Sequence, residues 1–207
     1  MTKTPARRAT AGMVLALGCL TAAALPTATA QASDRLPHHT TQNSGRGCVM
    51  VWFDLGETLV HTAEDGSIRY MPGAAQHLRA LRARHIPVGL ITNVPSSWGN
   101  TDAERAAELK KVIDTDWKDS RPFAWSDFGD RILTPRTEAE RKPAAVLWER
   151  ARDTTHGCRL VYQAETNDEI QASSSLGYFS YLVGRPHWPA FMPVPLIAAL
   201  GHLPGRS

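Results

Sequence analysis

Short apolar runs alternate with amphipathic segments between Cys48 and Gly184. Five of the runs are rich in Val, Ile, Leu or aromatic residues, which is typical of strands buried on both faces of a parallel sheet. The predicted strands cover residues 48–54, 86–93, 130–135, 158–165 and 178–184.

Apolar residues recur at helical spacing in the segments between these strands. Pro72 and Pro143 are suited to first helical turns, and Gly177 is suited to a helix end. The predicted helices cover residues 72–85, 102–115 (capped by Thr101 or Asp102), 143–153 and 167–177. The alternation predicts a doubly wound, Rossmann-like α/β fold with a mainly parallel five-stranded sheet and right-handed crossovers.

The amino terminus has a different pattern. Lys3, Arg7 and Arg8 precede an apolar stretch at residues 11–25, and small residues follow up to Ala32. This layout predicts a signal peptide over residues 1–32, cleaved after Ala30 or Ala32, and therefore a secreted protein. The stretch is short for a membrane span, so a single anchoring helix is the less favoured alternative.

Residues 33–46 are polar and without periodicity, which predicts a flexible linker before one domain at 47–207. The whole chain has 23 Lys and Arg against 20 Asp and Glu. Three of the basic residues lie in the leader, so the mature chain is formally neutral with 20 of each sign. This balance favours neither nucleic acid nor an anionic membrane as a partner after leader cleavage.

Polar residues stand where the predicted strands end. Asp54 follows the first strand, Thr92 and Asn93 end the second, and Lys142 precedes the third helix. Glu165 and Glu169 follow the fourth strand. The carboxyl ends of parallel strands share one edge of a sheet, where ligands bind. Converging carboxylates there predict a Mg²⁺ site, a hydroxyl and an ammonium suit a phosphate, and an aspartate could attack that phosphate.

These segments resemble the four motifs of the haloacid dehalogenase superfamily, whose members are mostly phosphatases. The similar segments are "FDLGETLV", "VGLITN", "ERKPAAVLWERA" and "LVYQAETNDEIQASSSLGY". The resemblance implies Asp54 as nucleophile, Thr92 as phosphate-binding hydroxyl and Lys142 as phosphate-neutralising cation. It also implies strand order 5-4-1-2-3, an aspartyl-phosphate intermediate and Mg²⁺.

Two departures from the family pattern affect this assignment. Gly56 stands where the family has a second aspartate that acts as general acid and base. Its carbonyl can still bind the metal, and Glu57 is a stand-in for the acid, unless it is only an exposed turn residue. The fourth motif has Glu165 and Glu169 in place of aspartates, with Asp168 as a spacing alternative to Glu169. The metal set implied by the resemblance is therefore Asp54, Gly56, Glu165 and Glu169.

Only 17 residues separate Asp54 from Pro72, so no cap domain is expected there and the site should be open. Trp98 and the irregular segment 116–128 are candidate lids, although ordinary loop packing is the favoured interpretation. His61 and His77 are expected on the solvent side. The apolar tail 191–200 is expected to pack on the sheet edge.

Two function classes follow, both with a phosphorylated partner. The first is a Mg²⁺-dependent phosphatase acting on an exposed phosphomonoester, either a small molecule or a phosphate on a larger one. The second is a non-catalytic protein that binds a phosphorylated ligand or partner with the same residues. Carbon–halogen hydrolysis ranks last, because in this family it normally needs a cap.

Cys48 and Cys158 remain after the leader, which contains Cys19, is removed. Each stands at the start of a predicted strand, and the implied strand order makes these two strands neighbours about 4.8 Å apart. In an oxidising compartment we expect the pair to form a disulfide. Because Cys48 lies 6 residues before Asp54 and Cys158 lies 7 before Glu165, two unpaired core residues are the alternative.

Overall fold

The computed structural model describes residues 47–155 and 157–203. The predicted signal peptide and linker lie outside these residues. The parallel strands are β1 (Val49–Phe53), β4 (Val88–Ile91), β5 (Ile132–Leu133), β6 (Arg159–Ala164) and β7 (Phe179–Leu182). A hairpin of β2 (Val60–Thr62) and β3 (Ile68–Tyr70) follows β1. The helices are α1 (Ala74–Arg82), α2 (Asp102–Asp116), α3 (Val146–Asp153), α4 (Asn167–Ser175) and α5 (Val194–Leu200).

The sheet has the order β5-β4-β1-β6-β7, and every adjacent pair is parallel. This confirms the predicted doubly wound α/β fold and its strand order. Phe53, the last residue of β1, is in register with Leu90 on one side and Gln163 on the other. Asp54 therefore follows the middle strand of the sheet, at the edge where all five carboxyl ends meet.

Each face of the sheet has its own apolar core. Val51 and Phe53 of β1 belong to the core that contains residues of α1, α2 and α5. Met50 and Trp52 point to the opposite face and belong to the core that contains residues of α3. A Cβ at Gly89 would lie 2.4 Å from the Trp52 ring, so the indole fits only because β4 has a glycine there.

The starts of α1 and α2 follow from the residues at their amino ends. Gly73 has a φ of 86°, a left-handed conformation, so α1 starts at Ala74 and not at the predicted Pro72. Thr101 caps α2, as predicted. Its hydroxyl accepts from the Glu104 amide at 3.2 Å, and the Glu104 carboxylate accepts from the Thr101 amide at 3.0 Å. This reciprocal pair satisfies two amides that the first turn leaves unpaired.

The hairpin was not predicted from the sequence. Its two strands have three residues each, which is too short for an alternating pattern to be recognised. It occupies much of the chain between Asp54 and Pro72, so the segment holds a small hairpin and no cap domain. The loop after α2 is bound to it: the Lys118 amide donates to the Ile68 carbonyl at 2.8 Å, and Tyr70 packs edge-on against Trp117.

Trp98 and Trp125 pack against the apolar core that contains residues of α1, α2 and α5. These contacts and those of Trp117 correspond to the favoured interpretation, ordinary loop packing. No helix in the described ranges is long and apolar enough to cross a membrane.

Two expectations about packing were wrong. The tail does not lie on the sheet edge, because α5 packs against α1 and the central strand β1. His77 is buried and not on the solvent side: its ring stacks on Phe191 at 4.8 Å, and its Nε2 lies 3.2 Å from Nε2 of Gln163. Burial lowers the pKa of His77 to about 4, so this histidine is a neutral core residue at pH 7.

Cys48 and Cys158 form a disulfide, with their Cα atoms 4.7 Å apart. The backbone at this point is already paired, because the Arg159 amide donates to the Cys48 carbonyl at 2.9 Å. The bridge therefore joins β1 and β6 at the ends opposite to Asp54 and Glu165.

Candidate active site

Asp54 is buried at the end of β1 and is surrounded by polar groups. The Lys142 ammonium donates to its Oδ1. The Thr58 hydroxyl lies 3.4 Å from its Oδ2 and donates to Oε2 of Glu165 at 2.6 Å. The chain turns sharply after β1, which brings Thr58 back between the two carboxylates.

Lys142 lies in the segment that leads into α3, and Asn93 fixes its backbone. The Asn93 side chain accepts from the Lys142 amide at 2.9 Å and donates to its carbonyl at 3.2 Å. The ammonium contacts Asp54, Oε2 of Glu169 at 2.9 Å and the hydroxyl of Tyr162 at 3.2 Å. An ammonium has three donors, so these contacts account for all of them.

The Tyr162 hydroxyl donates to Oε2 of Glu169 at 2.6 Å. Burial, followed by the negative charges of Asp54 and Glu169, raises the pKa of Tyr162 well above its usual value. The phenol is therefore neutral at pH 7 and available as a donor. It holds Glu169 in place beside Lys142, so the lysine is positioned by an anion and by a phenol as well as by Asp54.

Glu165 and Asp54 form an unusual pair of carboxyl groups. Burial raises the pKa of Glu165 to about 7, and repulsion from the Asp54 charge adds to the effect. The two groups directly follow the adjacent strands β1 and β6 and share the Thr58 hydroxyl. Electrostatically, this position favours either a proton on Glu165 or a cation close to both carboxylates.

The oxygen donors around Asp54 fit Mg²⁺. In the described part of the chain, no three His, Cys, Asp or Glu side chains form a metal-binding group. Mg²⁺ usually keeps several waters and needs only one or two carboxylates. Asp54, Glu165 and the carbonyl of Gly56 supply oxygen donors of this kind. Glu169 contacts Lys142 in this structure, and its assignment as a metal ligand stays a prediction.

Two other predicted positions are also at this edge of the sheet or near it. Thr92 is buried directly after β4, and the register places it one residue beyond the level of Asp54. Its amide donates to the Leu133 carbonyl at 3.1 Å, which fixes its backbone. Asp168, the spacing alternative to Glu169, is exposed in the first turn of α4.

Glu57 is not brought into the Asp54 cluster. It has a left-handed φ of 49°, and its carboxylate lies 2.8 Å from Nδ1 of His61 and accepts from the Thr62 amide at 3.2 Å. Gly56 beside it is exposed, and a Cβ built there would meet nothing within 4 Å. The position of the family's second aspartate is therefore open space, with the neighbouring carboxylate bound to the hairpin.

A buried arginine connects the loops that surround the site. Arg105 is only 1% exposed and donates to the Thr134 hydroxyl at 2.8 Å, the Gly99 carbonyl at 2.8 Å and Asp102 at 2.9 Å. Arg150 of α3 donates to the other oxygen of Asp102. The loop after β4, the end of β5 and helix α3 are thus held together by one ionic network.

Three polar residues of this region were not identified from the sequence. Thr58 looks like an ordinary turn residue, and Tyr162 looks like a core aromatic within an apolar strand. Arg105 did carry a signal, because it precedes Leu109 and Ile113 at a spacing of four and so belongs to the buried stripe of α2. A charged residue in such a stripe indicates an internal ion pair.

Replacing Glu165 by Gln is expected to change the pH dependence of stability. In the folded protein the pKa of Glu165 is about 7, above its ordinary value of 4.5. Without metal, its contribution to stability is therefore full below about pH 4.5 and is lost as the pH rises to about 7. The free energy of unfolding of Glu165→Gln, measured relative to that of wild type at the same pH, should therefore be higher at pH 8 than at pH 5.

Thermal unfolding in EDTA at both pH values measures this difference. Mg²⁺ at pH 8 should then stabilise wild type more than the variant, because a cation offsets the repulsion from Asp54. Glu64→Gln, at an exposed hairpin position, is the matched control and should behave as wild type. Parallel curves for Glu165→Gln and wild type would contradict the assigned environment of Glu165.

Comparison with solved structures finds related folds. The crystal structure of a candidate HAD-like phosphatase from Mesorhizobium loti aligns with a TM-score of 0.51 and 16% identity, over 78% of this chain and 90% of that chain. An L-2-haloacid dehalogenase and an uncharacterized protein from Listeria monocytogenes serotype 4b give TM-scores of 0.47 and 0.46. Their identities are 12% and 13%, over 70% of this chain, and the alignments cover 89% of the dehalogenase and 88% of the Listeria protein. No protein-family model and no curated protein matches the sequence.

Proposed function

Because the chain has the haloacid dehalogenase-like fold, we propose that it is a hydrolase of that type, and more specifically a Mg²⁺-dependent phosphatase. One observation carries the proposal. Asp54 directly follows the central strand and accepts a hydrogen bond from the Lys142 ammonium, and Glu165, whose pKa is raised, lies beside it. A carboxylate, a cation and a second carboxylate at the carboxyl edge of a parallel sheet suit phosphoryl transfer through an enzyme carboxylate.

In the proposed reaction an oxygen of Asp54 attacks the phosphorus of a phosphomonoester, and the bond to the leaving alcohol oxygen breaks. Water then hydrolyses the aspartyl phosphate, which releases phosphate and regenerates Asp54. Lys142 neutralises charge on the phosphoryl oxygens, and the Thr92 hydroxyl donates to one of them. Asp54, Glu165 and the Gly56 carbonyl would hold Mg²⁺, which supplies further charge neutralisation when bound.

Glu169 and Tyr162 have a supporting role in this proposal. Both contact the Lys142 ammonium, so they orient it when the phosphate competes for its hydrogen bonds. The absence of a cap between Asp54 and α1 leaves the site open. The substrate class is therefore an exposed phosphomonoester, carried by a small molecule or by a larger one.

The second candidate function is non-catalytic binding of a phosphorylated ligand or partner. The surroundings of Gly56 favour it, because no carboxylate occupies the position of the proton donor and Glu57 is bound to His61. A positioned acid or base typically contributes about 10²–10⁴ in rate. A protein lacking one would bind phosphate with Lys142 and turn over slowly or not at all.

We also propose that the protein is exported, as the amino-terminal sequence predicts. The disulfide between Cys48 and Cys158 supports this, because disulfides persist in oxidising compartments and are rare in the cytosol.

The mature protein, residues 33–207, is expected to hydrolyse p-nitrophenyl phosphate slowly and only with Mg²⁺. Release of nitrophenol is measured with Mg²⁺, with EDTA, and after Mg²⁺ is added back in excess over EDTA. Recovery on adding Mg²⁺ back separates metal dependence from irreversible unfolding. Turnover that persists in EDTA would argue against the metal, and phosphate binding without turnover would favour the second candidate.

A further inference from the structure

The segment between β7 and α5 borders the candidate site. Strand β7 runs parallel to β1, so its carboxyl end lies on the same edge of the sheet as Asp54. The Val183 amide donates to the Ala164 carbonyl at 2.8 Å, directly before Glu165. The exposed residues 184–190, which we call the rim loop, therefore begin next to one of the site carboxylates.

The rim loop also ends beside the site. Phe191 packs edge-on against Phe53, the residue before Asp54, with ring centroids 6.4 Å apart. The Met192 amide donates to Oε1 of Gln163, which is in register with Phe53, at 2.8 Å. Both ends of the loop are thus attached to residues that immediately precede the site, so the loop starts and ends at the edge of the sheet that carries Asp54.

Trp188 stands exposed in this loop. The indole is 57% exposed, and the Arg185 guanidinium lies 5.1 Å from its ring centroid. The Trp188 amide donates to the Arg185 carbonyl at 3.2 Å, and the Tyr181 hydroxyl donates to the Pro189 carbonyl at 2.6 Å. His187 has a left-handed φ of 64°, which is unfavourable for a residue with a side chain. The loop is therefore held in a strained conformation that presents an indole to solvent.

Trp188 differs from the tryptophans of the other loops in its packing. Trp98, Trp117 and Trp125 also lie in loops, and all three pack against the apolar core, but Trp188 does not. Arg185 is placed to cover one part of the ring, which leaves the remainder open to a ligand. A planar aromatic ring stacks well on an indole, and the contact tolerates many ring types because each has a π face.

We propose that Trp188 is a specificity-determining residue that stacks on a planar aromatic ring in the leaving group of the phosphomonoester. The inference rests on the proposed function, because it takes the phosphate to lie at Asp54 and Lys142. It narrows the substrate class from any exposed phosphomonoester to those that carry an aromatic ring close to the phosphate.

Benzyl phosphate and cyclohexylmethyl phosphate test this inference. The two esters have leaving groups of similar size and similar alcohol acidity, and they differ in whether the ring is planar and aromatic. The kcat/KM of wild type with Mg²⁺ should favour the benzyl ester by about threefold to tenfold, the usual range for an aromatic pair. Trp188→Ala should remove the preference, and Trp188→Phe should keep part of it. Leu203→Ala is the matched control, because it removes another exposed apolar side chain, 48% exposed, at the opposite edge of the sheet.

Binding of the two corresponding phosphonates, which cannot be hydrolysed, gives a readout without turnover. A preference for benzylphosphonate that Trp188→Ala abolishes, seen by calorimetry in a protein without activity, would sustain the stacking site and reject the phosphatase. Turnover of both esters without a ring preference would reject only the stacking site. Equal binding of the phosphonates, binding of neither, or a preference that survives in Trp188→Ala would each overturn the inference.

Discussion

Asp54→Asn is expected to reduce turnover of p-nitrophenyl phosphate to background, a loss of at least about 10⁴-fold if Asp54 is the nucleophile. An amide is a far weaker nucleophile than a carboxylate and does not form the acyl phosphate. We expect the substitution to leave the fold intact, because Glu169 still pairs with the Lys142 ammonium. Thermal unfolding and circular dichroism check that point.

Asp153→Asn is the matched control for this substitution. Asp153 is an exposed aspartate at the carboxyl end of α3, and the same chemical change there should leave turnover near that of wild type. Mass spectrometry of wild type quenched in acid during turnover should find phosphate on the peptide that contains Asp54. Activity that is unchanged in Asp54→Asn would remove the basis for the proposed mechanism.

Gly56→Asp is expected to increase kcat for benzyl phosphate by about 10²-fold, because it places a carboxyl group where the leaving benzyl alcohol needs a proton. The structure accommodates the side chain, since a Cβ at this position meets nothing within 4 Å. Gly56→Asn is the control of the same shape without a proton to give, and it should not increase the rate.

A third variant tests whether Glu57 replaces the missing acid. Glu57 is bound to His61 and to the Thr62 amide, so Glu57→Gln should change turnover little. If Glu57→Gln removes activity, the loop moves during catalysis and brings Glu57 to the site. If Gly56→Asn increases the rate as much as Gly56→Asp, the gain does not come from a proton donor and Gly56 does not mark a missing acid. All three variants are compared at saturating Mg²⁺ so that metal affinity does not enter the comparison.

The sequence was sufficient to predict the sheet but not all its surroundings. Long apolar runs such as those of β1 and β6 report burial directly. The strand order was implied by the resemblance to a known family and not by the runs themselves. The hairpin β2–β3 could not be seen in the same way, because three residues do not establish a period. The position of α5 over the central strand depends on contacts between distant residues, which no local pattern reports.

The candidate site shows the same limit at the level of single atoms. Asp54, Lys142, Glu165 and Glu169 converge because the parallel sheet collects them at one edge, and that was predictable from their positions. Which group each one contacts was not. The Lys142 ammonium pairs with both Asp54 and Glu169, a bridging position that the sequence did not indicate. The Tyr162 hydroxyl that completes this arrangement belongs to a side chain that the sequence presents only as apolar.

The disulfide makes the first part of the domain a covalently closed ring. Cys48 and Cys158 are 110 positions apart, and the chain between them carries Asp54, Thr92 and Lys142. One protease cut in any exposed loop of that ring opens it without separating Asp54 from Lys142. A molecule nicked once there runs on a gel as a single species without reductant and as two fragments with it.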